Sequence, residues 1–204
     1  MRIRLAKPSD MDQLADVHWV CSREQANGFM FKLGKRFLRQ YYRVLLTEEN
    51  TVVICAIADD GRIVGFASGS LDAAEHLVVL KRNRFRLLWA ALPALVRNPA
   101  LINGLFSRQR SRSAEEGGYI VLSGARGEYW AWIPTARSAG AAIGLFQKWL
   151  SLMRLLGAQE VRFEVDRGDG NVEQIHTMLG ARIVKELVTP DGKPRLVMEY
   201  VFGH

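Results

Sequence analysis

The chain has 204 residues, 49% apolar and 24% charged, a balance that excludes a collagen-like or disordered polymer and suits one sizeable core built without disulfide staples. Its 28 basic and 21 acidic residues leave a net charge of +7. The basic residues are scattered over 32–43, 81–86 and 108–112, with no aromatic RNA-binding signature and no zinc-ligand spacing, so charge alone does not argue for nucleic acid. The opening MRIRLAKPSD has no apolar core of a signal peptide, and no stretch reaches the roughly 18–20 apolar residues of a membrane span. A cytoplasmic protein of a single domain, residues 1–204, is the expectation. Cys21 and Cys55 lie in apolar runs, which predicts buried free thiols.

Residues 2–6 alternate as a strand does, with Ile3 and Leu5 on one side. Pro8-Ser9-Asp10 starts a helix carrying Met11, Leu14, Ala15, Val17 and His18, with Ser9 or Asp10 as its cap. A loop at 25–28 leads to a second amphipathic helix over 31–47. The period then shortens: 51–58 and 62–69 read as paired strands around the turn Asp59-Asp60-Gly61. Residues 72–110 are helical in pattern and basic (Lys81, Arg82, Arg84, Arg86, Arg97, Arg108, Arg110), divided by Pro93 and Pro99, and 111–118 reads as a loop. An extended stretch begins at 119–122 and resumes over Glu128–Ile133, stopping at Pro134. A helix over 141–156, a strand over 161–165, a helix over 171–179 and strands over 183–187 and 196–201, joined by a turn at 189–192, complete the chain. Strands and helices in that order predict an α/β (α+β) mixed sheet with helices on both faces.

The segment Pro134-Thr135-Ala136-Arg137-Ser138-Ala139-Gly140-Ala141-Ala142 lies between a strand and a helix. The start of a helix presents unpaired N–H groups and the positive end of its dipole, small residues let a ligand approach the backbone, and Arg137 adds positive charge. These features suit a pyrophosphate; small residues equally serve tight packing of a helix on a sheet.

Arg137-x-x-Gly140-x-Ala142 resembles the R/Q-x-x-G-x-G/A signature of GNAT N-acetyltransferases. The Asp-Asp-Gly hairpin followed by Ile63-Val64-Gly65-Phe66, the strand Val161–Val165, the helix ending Met178-Leu179-Gly180-Ala181 and the last strand Val197-Met198-Glu199-Tyr200 fall in the order of that family. The resemblance covers the chain except a helical insert at about 72–118 after the third strand. It departs from the family at Ser138 and at Ala142, where glycine is frequent. The resemblance implies acetyl-CoA as co-substrate, no metal, and direct transfer of acetyl to a primary amine in a ternary complex. It implies cofactor contacts by Ala131, Trp132 and Ile133 on the fourth strand, by Arg137, Ser138, Ala139, Gly140, Ala141 and Ala142, and by Asn171, which equally caps its helix. Glu128 is the candidate base, two residues before Trp130 and on the same face by alternation, with Glu164 as second choice; a solvated glutamate is the alternative. For the acid, the family's tyrosine position holds His176, which is equally a packed helix residue. Trp130 and Trp132 line either core or pocket. His18 and His76 show no ligand spacing and read as structural or solvated.

The insert's arginines suit either a lid over an anionic acceptor, such as a nucleotide-linked amino sugar, or an interfacial helix that meets a membrane or partner. Arg-to-Glu changes at 82, 84 and 86 separate the two. A non-catalytic acyl-CoA-binding module is the alternative to an enzyme, and exchange of the last strands between two copies would give a homodimer.

Overall fold

The computed structural model describes residues 1–24, 29–111, 123–136, 139–168, 170–188 and 194–203. The loop expected at 25–28, the extended stretch at 119–122, the turn at 189–192 and nearly all of the loop at 111–118 lie outside them.

Seven strands form one sheet: β1 (Arg2–Leu5), β2 (Thr51–Ile57), β3 (Ile63–Ser70), β4 (Arg126–Trp132), β5 (Glu160–Asp166), β6 (Arg182–Val188) and β7 (Pro194–Val201). Their spatial order is β1-β2-β3-β4-β5-β7-β6. All neighbours are antiparallel except β4 and β5, as the intervening helix α7 (Ala139–Leu155) requires. The hairpin β2–β3 turns at Gly61, whose φ of 83° is the left-handed conformation that glycine adopts without cost.

Helices cover both faces. Over one lie α7 and α8 (Gly170–Met178), packed on Ala67, Val161, Phe163, Val165, Leu196 and Met198 of the sheet. Trp149 of α7 is buried there, its indole N–H donating to the Val52 carbonyl at 3.0 Å. Over the other lie α1 (Met11–Glu24) and α3 (Lys35–Leu45), whose Leu14, Val17, Leu38, Tyr42 and Leu45 meet Val53, Cys55 and Phe66. Both cysteines are free and buried. Ahead of α1, the Asp10 carboxylate accepts from the Lys7 N–H at 2.7 Å and holds Arg4 at 2.6 Å, so Asp10 is the residue that anchors this helix start.

Two helix boundaries differ from the sequence pattern. The helix expected over 31–47 is two, α2 (Phe29–Lys32) and α3, broken at Gly34 with φ of 89°. The insert forms α4 (Ala73–Arg82), α5 (Arg84–Arg97) and α6 (Ala100–Ser111), divided at Asn83 and Asn98. Pro93 divides nothing; it sits inside α5, where packing of Ala91, Leu95 and Leu101 against Leu33 and Phe37 holds the helix through it. No helix among the described residues is long and apolar enough to cross a membrane.

Candidate active site

The sheet opens between β4 and β5. Their ladder holds a single registered pair, Arg126 with Arg162, where the Arg162 N–H donates to the Ala125 carbonyl at 3.0 Å. Beyond it β4 runs on with β3 alone, from Gly69 opposite Gly127 to Gly65 opposite Trp132. The Ile133 N–H donates to the Val64 carbonyl at 2.8 Å. In an antiparallel ladder such bonds fall on alternate residues, so Ala131 also turns its amide to β3, whereas Trp132 turns its own into the gap. Of the three residues expected to contact the cofactor, Ala131 and Ile133 turn their amides to β3, and Trp132 is the one whose amide is directed at the opening.

Trp132 also ties the strand to the loop that enters α7. Its indole N–H donates to the Ala136 carbonyl at 3.2 Å. The ring lies flat on Gly65, where an added Cβ would come within 2.4 Å of the indole. Trp130, on the same face, stacks on Phe146 with centroids 4.9 Å apart. Its indole N–H is buried and has no hydrogen-bond partner among the described residues. A buried donor without a partner costs about 1–3 kcal/mol, so a hydrogen-bond acceptor that reached it would be favoured. Ala139, Gly140, Ala141 and Ala142 form the first turn of α7, and a Cβ at Gly140 would meet open space. Arg137 and Ser138 lie outside the described residues, as does the side chain of Asn171, whose backbone is in the first turn of α8.

A bulge in β4 sets the direction of Glu128. Ser68 opposes Tyr129 and Gly69 opposes Gly127, which leaves Glu128 as the extra residue. A Cβ on Gly127 would touch Phe163 and Trp149, so this residue faces α7. Tyr129 faces α1, its ring stacked parallel on His18 at 3.8 Å. Glu128 consequently leaves the face of Trp130, where strict alternation had put it, and joins the face covered by α1, α3 and α4.

There it meets residues that sequence spacing did not connect. His76 of α4 is 1% exposed and its Nδ1 lies 2.8 Å from Oε2 of Glu48, just beyond α3. The hydrogen bond between Nδ1 and this carboxylate orients the imidazole. Nε2 stands 3.7 Å from Oε1 of Glu128. Arg126 Nε lies 3.5 Å from the same oxygen, and the Arg126 guanidinium donates to Glu164 at 3.1 Å. The side chains of Glu48, Glu128 and Glu164 are 3%, 10% and 6% exposed. Burial disfavours the Arg126 charge, but Glu128 and Glu164 outweigh it and hold the guanidinium ionised. Glu128 and Glu164 flank this guanidinium and Glu48 meets His76, so the cluster holds three carboxylates and one arginine. His76 Nε2, Arg126 Nε and Glu128 Oε1 are buried with no hydrogen-bond partner among the described residues. A cluster rich in carboxylates suits a group that brings protons, such as an ammonium. Among the described residues no group of three or more His, Cys, Asp or Glu is placed to hold a metal.

No protein-family model and no curated protein matches the chain. Solved structures do match. It is similar to ribosomal-protein-alanine N-acetyltransferase from Brucella melitensis, at 14% identity and a TM-score of 0.62, over 99% of this chain and 100% of that one. It is similar to aminoglycoside 6'-acetyltransferase type Ii at 13% identity and a TM-score of 0.63, over 100% and 99%. An acetyltransferase of the GNAT family from Streptococcus pneumoniae matches at 12% identity and a TM-score of 0.57, over 98% and 99%. The chain has the GNAT fold.

His176, the acid expected within the GNAT frame, lies in the core. It is 4% exposed in a cage of Trp130, Phe146, Phe163 and Tyr200, with Nδ1 3.1 Å from the Tyr200 hydroxyl. Burial pushes its pKa down to about 4, so at neutral pH it carries no proton beyond the neutral ring's own and is a poor donor to a thiolate. His18 is buried likewise, pushed down to about 3, and bonds the Tyr42 hydroxyl at 2.6 Å.

Proposed function

We propose that the protein is an acetyl-CoA-dependent N-acetyltransferase that moves an acetyl group to the primary amine of a small molecule. The observation that carries this reading is the parting of β4 from β5 with Glu128 and His76 gathered on the acceptor side of the same strand. The residues present fit the co-substrate. The unpaired edge of β4 and the unpartnered Trp130 indole offer donors to an extended amide-bearing arm, and the start of α7 with Arg137 and Ser138 offers a place for its pyrophosphate.

Acetyl-CoA supplies the acetyl group as a thioester. The Trp132 N–H, fixed by the β3 ladder, donates to the thioester oxygen as negative charge grows on it. An amine reaches the protein as an ammonium and must lose a proton before its nitrogen can attack. Glu128 takes that proton, directly or through one water, and His76, oriented by Glu48, faces the same proton across 3.7 Å. The C–N bond forms as the C–S bond breaks, and the proton gained by the base balances the one the thiolate requires.

The excess of carboxylates favours a cationic acceptor over the anionic one suggested by the insert's arginines. Arg36, Arg39, Arg43 and Arg86 line a cleft of about 380 Å³ on the side of α3 turned from the sheet, away from Glu128. A non-catalytic acyl-CoA-binding module is the second reading, favoured by the absence of an acid at His176.

Calorimetric titration with acetyl-CoA, followed by thiol-release assays over cationic and anionic amines, tests both readings. Binding with turnover of cationic amines supports the enzyme. Binding without turnover of any amine supports the module. Absence of binding to any acyl-CoA overturns both.

A further inference from the structure

The insert carries a surface that the acetyl-transfer reading does not use. On α5, Phe85, Leu88, Trp89, Leu92 and Val96 recur at helical spacing, and all five are exposed, Phe85, Trp89 and Val96 by 71%, 67% and 70%. The opposite side of α5 holds the buried Ala90 and Ala91, so the helix is seated on the protein while its aromatic and aliphatic edge faces outward. A contiguous apolar stripe of this kind on a folded surface marks a contact site. Basic residues surround it: Lys81 and Arg82 end α4, Arg84 and Arg86 open α5, and Arg97 closes it, with no acidic residue in α5. Trp89 and Arg86 also form one wall of the cleft whose other wall is Arg36, Arg39 and Arg43 of α3. Arg39 is paired with Asp12 at 2.9 Å, while Arg36, Arg43 and Arg86 have no carboxylate partner among the described residues.

We propose that α5 and this cleft form a peripheral docking surface for an anionic phospholipid bilayer. The stripe from Phe85 to Val96 enters the boundary between headgroups and acyl chains, with the helix lying in the plane of the surface. The arginines of the cleft receive lipid phosphates beside Trp89, whose ring suits the headgroup level. Charge selects this occupant: a protein partner would meet the same apolar stripe, but the basic rim and the unpaired arginines of the cleft match a sheet of phosphates. The contact leaves the chain on one side of the bilayer and is independent of acetyl transfer.

Flotation of the intact protein with vesicles tests it, using phosphatidylcholine alone and phosphatidylcholine with about a third phosphatidylglycerol. The expected result is partition to the anionic vesicles at least about tenfold above the neutral ones, weakened by salt. Trp89→Glu with Val96→Glu, both at exposed positions, abolishes it. Arg36→Glu with Arg43→Glu and Arg86→Glu lowers it by a similar factor while thermal unfolding stays that of the parent. Absence of binding to anionic vesicles at low salt overturns the proposal. Binding that persists in the Trp89/Val96 variant overturns it too, since net charge alone would then suffice. A dimer in light scattering that these two substitutions dissolve, without vesicle binding, assigns the stripe to a second copy instead.

Discussion

Glu128 and His176 both lie largely out of solvent, and their neighbours separate two titratable residues with similar sequence credentials. Glu128 stands among polar and charged groups, His76 at 3.7 Å and Arg126 at 3.5 Å, on the face of β4 turned to α1, α3 and α4. His176 stands among rings. Replacing Glu128 by Gln keeps the shape and removes the base, so kcat is expected to fall by about a hundredfold or more with acetyl-CoA affinity unchanged. His176→Phe is expected to leave kcat near the parent value, because the imidazole is neutral and packed. Steady-state kinetics with one cationic amine, beside calorimetric acetyl-CoA binding, checks both. A hundredfold loss in His176→Phe with its fold intact would restore the acid role. Glu128 was legible in the sequence as a carboxylate on the right strand. Its partners were not, because His76 and Glu48 are 28 residues apart and only the docking of α4 beside the end of α3 joins them.

At the scale of elements, the site depends on how closely β3, β4 and α7 approach one another. Gly69 of β3 lies beneath Trp149 and beside the β4 backbone, where a Cβ would come within 2.3 Å of both the indole and the Arg126 carbonyl. Neither can yield cheaply, since the indole is held by its bond to Val52 and the carbonyl belongs to the bulged strand. Gly69→Ala is therefore expected to destabilise by about 1–3 kcal/mol or more and to disturb the neighbouring bulge. Chemical denaturation measures the loss, and a variant as stable as the parent would refute this packing. Hydrophobic period located nearly every strand and helix. It missed the break at Gly34, where apolar spacing continues across a left-handed residue, and the continuity of α5 through Pro93, which tertiary contacts maintain.

For the whole molecule, His18 and His176, two of the three buried histidines, set a direction for acid stability. His18 and His176 have folded pKa values pushed down to about 3 and about 4, against about 6.5 when unfolded. Between those values the unfolded chain binds more protons than the folded one, so stability falls as pH drops from about 6.5 toward 4. Glu199 adds to this at lower pH. Burial opposes its charge, but hydrogen bonds from Arg182 and Arg162 outweigh burial and lower its pKa, a contribution lost as the carboxylate protonates. The melting temperature is expected to decline from pH 7 to pH 5, and His18→Gln to flatten part of that slope. A melting temperature independent of pH over this range would contradict the burial of both rings.

The sequence by itself determined the mixed sheet, the order of its strands and helices, the β2–β3 hairpin and the insert after β3, because these follow from local period and turn chemistry. It also raised the expectation that the helix start after β4 receives a polyanion. Only the tertiary structure decided which backbone amide faces the gap, which side of β4 Glu128 occupies, and that His176 is core. A bulge shifts alternation by one residue, and burial is a property of the assembled layers; neither is written in the spacing of residues along one strand.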